Sequence, residues 1–78
     1  MSRKIKLIWD FRGSAANEIA RHHELHLKTF MEAEGLPELT GHTDLSELHS
    51  IAFLVVEENE MPRVRDALLP HRGEIFTD

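Results

Sequence analysis

Six histidines are dispersed through the 78 residues, and the spacing of three of them bears on chemistry. His22 and His26 are one helical turn apart, so on a helix they share a flank, and two imidazoles at that spacing can grip one metal ion. A third ligand would have to come from Glu18, one turn earlier, or from a partner subunit. The alternative use of this pair is an ordinary, partly solvated helix flank. His23 falls on the other side of the same segment, among apolar residues. Burial opposes its charged form and lowers its pKa, and an inward neutral imidazole still has two nitrogens to satisfy. A backbone group, Trp9 or a bound ligand could satisfy them. A histidine held between a helix and a sheet is either a satisfied core residue or a general acid or base for a ligand bound there.

A second constellation is cationic. Arg12, Gly13 and Ser14 follow the first apolar segment, and His71 and Arg72 precede the last one. If those two segments lie antiparallel, the five residues meet at one end of a sheet, beside the free amides that open a helix. Such a place suits a phosphate or a carboxylate. Asp10, Glu57, Glu58 and Glu74 belong to the same neighbourhood, so an Asp10–Arg72 or Glu74–Arg12 ion pair competes with the anion. Neither Gly13 nor Gly73 belongs to a glycine-rich phosphate loop. Ser14, Ser46 and Ser50 fit a cap, a turn and a strand edge rather than a nucleophile, and His42 and His49 are most simply surface residues flanking a hairpin.

The elements that must position these residues can be read from periodicity. Residues 3–12 alternate, with Ile5, Leu7, Trp9 and Phe11 on one side and Lys4, Lys6, Asp10 and Arg12 on the other. This is a half-buried strand whose polar face is interrupted only by Ile8. Residues 14–35 read as one long amphipathic helix. Ala16, Ile19, Ala20, His23, Leu27, Phe30 and Met31 form its inner face, Ser14 is its N-cap, Gly35 its C-terminal closure, and Pro37 bars continuation. Residues 38–45 form a more polar strand and 44–47 a turn. Ile51–Val56 is a continuous apolar run, the pattern of a strand covered on both faces. Asn59 then caps a second helix with Pro62 in its first turn and Met61, Val64, Leu68 and Ala67 inward, ended by Pro70. Residues 73–78 form a last short strand.

This order, strand–helix–strand–strand–helix–strand over the whole chain, resembles the ferredoxin-like split βαβ superfold. The resemblance implies an α+β fold: a four-stranded antiparallel sheet with two helices on one face, in a single domain spanning residues 1–78. It rests on element order and is silent on activity. The other sheet face is then bare. With Ala52, Leu54 and Val56 assigned to it, Ile8, Leu54 and Val56 make an apolar patch, the mark of an interface. The expected partner is a second copy of the chain packed face to face.

Composition narrows the classes further. The chain has no cysteine, which excludes disulfides and thiolate metal sites. A net charge of −5 argues against a general nucleic-acid binder. No window approaches the apolar length of a membrane span, and no signal peptide precedes the first strand. A cytoplasmic location is expected. For a chain this short without disulfides, self-association or a histidine/carboxylate metal site is the expected source of added stability. The leading expectation is therefore a small self-associating α+β binding or regulatory module. The alternatives are a small enzyme using His23 on an anionic molecule oriented by Arg12 or Arg72, and a His22/His26 metal-binding protein. The residues leave the identity of any cofactor unknown.

Overall fold

Alternation along the first segment builds β1 (Lys4–Arg12), with Leu7 and Trp9 buried on one side. There follow α1 (Ala16–Ala33), β2 (Thr40–Ser46), β3 (His49–Glu57), α2 (Met61–Leu68) and β4 (Arg72–Phe76). The computed structural model describes residues 3–36 and 39–76. All pairings are antiparallel and the strand order is β2-β3-β1-β4. This is the expected α+β arrangement, consistent with a ferredoxin-like fold. The expected roles of Pro37 and Glu38, and of Thr77 and Asp78 at the end of the last strand, lie outside the described residues.

The core is the layer between the helices and one sheet face. Leu7 and Trp9 of β1, Ala52, Leu54 and Val56 of β3, Ala20, Leu27 and Met31 of α1, and Val64 of α2 form one buried cluster. Ile5, Phe11, Phe30, Met61 and Leu68 pack around it, partly buried. The inner seam of α1 is narrower than its sequence suggests, because Ile19 lies 46% exposed. On α2, Ala67 is exposed, and Met61 and Leu68 flank the fully buried Val64.

The face assignment of β3 is the reverse of the expected one. The β1–β3 register sets Leu54 opposite Leu7 and Val56 opposite Ile5, and directly opposed residues share a face. Leu54 and Val56 therefore belong to the helix-covered side, and Ile51, Phe53 and Val55 join Ile8 on the open side. A run without alternation carries no information about which parity points inward; only the register decides it.

The helix ends also differ from their expected caps. Ala15, not Ser14, is the N-cap of α1, and no side chain caps it. Gly13 adopts a positive φ of 111° and its carbonyl accepts the Ala16 amide, so a backbone turn does this work. At the other end Gly35 does close the helix, at φ 68°. The Leu36 amide reaches the Met31 carbonyl and the Gly35 amide the Glu32 carbonyl, the paired bonds of a Schellman motif. Glu60, not Asn59, is the N-cap of α2, again with no side-chain bond.

Candidate functional site

On the open sheet face, Asp10 gathers Arg72 and His49. One carboxylate oxygen accepts from Arg72 Nε at 3.0 Å. The other accepts from His49 Nε2 at 2.9 Å and from Arg72 Nη2 at 3.3 Å. β1 presents Asp10 on this side because its parity matches Ile8, and β3 brings His49 diagonally across from it. The Arg72 bonds first, and the His49 bond second, hold the Asp10 carboxyl down at about 2, against 3.8 for an unperturbed group. Asp10 in turn raises the Arg72 guanidinium. The competing ion pair anticipated between Asp10 and Arg72 is thus present.

His71 occupies the margin between the two faces. Its Nδ1 accepts the Asp10 amide at 2.8 Å, while its own amide donates to the Ile8 carbonyl at 3.0 Å. The imidazole therefore takes up a β1 amide just beyond the end of β4.

His23 faces the sheet, between the rings of Trp9 and Phe11, with centroids 4.9 and 5.4 Å away. Its Nε2 is out of contact with solvent and has no hydrogen-bond partner. Trp9 does not supply one: its Nε1 donates to the Leu68 carbonyl at 3.2 Å. Desolvation, and then the neighbouring His26 and His71, lower the His23 pKa from 6.5. The ring is therefore neutral at physiological pH.

The remaining sequence candidates are distributed as follows. Because β4 begins opposite Ile8, β1 runs on past it, and Arg12 stands across from His49 rather than beside Arg72. The Gly13 amide donates to the Leu48 carbonyl at 2.9 Å, and Ser14 is exposed in the turn before α1. The five residues of the expected anion site are therefore spread along one end of the sheet, with three of them already engaged in internal hydrogen bonds. His22 and His26 are exposed on α1. Among the described residues no group of three histidine, aspartate or glutamate side chains converges.

Three polar contacts of β2 escaped the sequence reading. His42 Nδ1 meets Glu24 Oε1 at 2.6 Å, and Asp44 accepts from both Asn17 Nδ2 and the buried Ser50 hydroxyl, at 2.7 and 2.8 Å. All three tie β2 to its neighbours. Their signal in the sequence is the shared parity of His42 and Asp44, which becomes readable once the hairpin register is known.

The flank of the sheet at β4 is poorly covered, with four of the five strand residues exposed. α2 is short and leaves the helix side of β4 open, so Ile75 is 54% exposed. A groove of about 430 Å³ lies there, lined by Ile5, Leu7, Met61, Pro70 and Ile75, with Arg65 at its rim. By contrast, the aliphatic residues of the open sheet face are shielded within the chain: Ile8 is 1% exposed, Ile51 6% and Val55 4%. The Phe53 ring spreads over Gly41, where an added Cβ would stand 2.6 Å from it. Lys6 Nζ sits 4.3 Å above the same ring.

No model of a known protein family matches the chain, no curated protein matches it, and no solved structure matches it. None of the described helices is long and apolar enough to cross a membrane.

Proposed function

We propose that this protein is a small self-associating binding module of the cytoplasm that presents the β4 flank of its sheet to a partner. The observation that carries the reading is the outer edge of β4, which has no neighbouring strand among the described residues and carries the exposed Ile75. Such an edge is a template for strand addition. The open sheet face is the weaker candidate for the same task, because its aliphatic side chains are already removed from water. The side chains around Asp10 argue for binding and structure over catalysis: Arg72 and His49 are both held by Asp10.

Sedimentation equilibrium tests the reading. It should give a mass near twice the 9.0 kDa of one chain at high protein concentration, and Ile75→Lys should return the protein to one chain. A mass of one chain, 9.0 kDa, at every concentration up to about millimolar would refute it.

A second reading is favoured by one observation, the orphaned Nε2 of His23. In that reading a ligand entering between α1 and β1 supplies the missing partner and His23 acts on it as a proton acceptor. The groove at β4 is not lined by His23, so such a ligand would have to part the Trp9 and Phe11 rings. Loss of a ligand's affinity in His23→Leu at unchanged stability would support it.

A further inference from the structure

Resting on the self-association reading, we infer that the partner at β4 is a second copy of the chain. It pairs antiparallel about a two-fold axis at Gly73, so that Arg72 of each subunit lies opposite Glu74 of the partner subunit.

The argument starts from the direction of backbone groups. The Glu58 amide bonds the Arg3 carbonyl, and the Gly13 amide bonds the Leu48 carbonyl. Both belong to one antiparallel register with β3, so the odd-numbered residues of β1 address β3. The even-numbered ones address β4, as the Ile8 carbonyl and the Asp10 amide do. In the β1–β4 register Lys4, Lys6 and Ile8 face Phe76, Glu74 and Arg72. The amides and carbonyls of these three β4 residues therefore point inward, and those of Gly73 and Ile75 point outward. An added antiparallel strand must bond through Gly73 and Ile75.

Three two-fold registers meet that requirement, and charge separates them. An axis at Glu74 sets the two Glu74 carboxylates directly opposite each other, which is destabilising. An axis at Ile75 pairs the two isoleucines but places each Glu74 against Phe76. An axis at Gly73 makes the two glycines a bonded pair and flanks it with two Arg72–Glu74 pairs on the open face. Arg72 is suited to this: its guanidinium is half-exposed, is fixed on Asp10, and already leans towards its own Glu74 at 3.9 Å. The other sheet edge, β2, is interrupted by a register shift between Asp44 and Ser46, a device that blunts edge pairing.

The test is the dimer dissociation constant of Glu74→Gln against the unaltered chain, by sedimentation equilibrium at low and high salt. Glu74 is exposed, so the substitution leaves the fold intact. Loss of two cross-strand ion pairs should weaken the dimer about five-fold at low salt, with the difference shrinking at high salt. Tighter association would assign the axis to Glu74, and an unchanged constant would assign it to Ile75; either overturns the inference while leaving self-association at β4 standing. A monomeric unaltered chain would overturn both.

Discussion

Asp10→Asn removes the one anion shared by His49 and Arg72, and its effect can be sized from the geometry. The folded carboxyl titrates at about 2 and an unperturbed one at 3.8. Between those values the unfolded chain binds the proton and the folded one does not. The ionised carboxylate therefore stabilises the fold fully above about pH 4, and this contribution is lost as the pH falls through 2. At about 1.4 kcal/mol per pH unit the gap corresponds to about 2.4 kcal/mol. Arg72, the larger cause, is half-exposed, so screening reduces the realistic figure to about 1 kcal/mol. For a domain of this size that is a fall in Tm of about 4–8 °C. Urea unfolding of both chains at steps from pH 7 to pH 2 is the assay. The unaltered chain should be more stable at neutral pH, and the two curves should converge near pH 2. Parallel loss of stability in both chains between pH 4 and pH 2 would show that Asp10 is not the titrating hub.

Two further perturbations probe the covered and open faces. His23 is desolvated and its pKa lowered, so the unfolded chain takes up its proton first. Stability should decline as the pH falls below 6.5, and His23→Phe should flatten that slope while raising stability at pH 7 by about 1 kcal/mol, since no buried nitrogen is left unpaired. An NMR titration midpoint for His23 at or above 6.5 would contradict this. Gly41→Ala drives a methyl into the Phe53 ring, which lies 2.6 Å from the added carbon, and should cost about 1–3 kcal/mol. The same change in a Phe53→Ala background should cost far less, and equal costs in the two backgrounds would show that the ring does not occupy this position.

The fold was legible because its signals are periodic. The alternation of Ile5, Leu7, Trp9 and Phe11 survives unchanged in β1, and the Gly35 closure of α1 is where the sequence puts it. Inward placement of His23 followed from helical spacing alone. What could not be read depends on register. Leu54 and Val56 took the opposite face because an unbroken apolar run looks the same in either parity. His49 seemed an ordinary surface residue because its diagonal relation to Asp10 exists only once β1 and β3 are aligned. Arg12 and Arg72 were expected together because strand ends seemed to coincide, whereas β4 stops short of the end of β1. The caps at Ser14 and Asn59 failed for a local reason: backbone turns supplied by Gly13 and by the residues before α2 fill the positions that side chains would have taken.

Amide hydrogen exchange at β4 probes the association claim at the atoms that make it. The Glu74 amide, directed at β1, should be protected at every protein concentration. The Gly73 and Ile75 amides should exchange freely at about 10 µM and become protected at about 1 mM, as a second strand bonds to them. Gly73 and Ile75 amides that exchange at the same unprotected rate at both concentrations would contradict strand pairing at this edge.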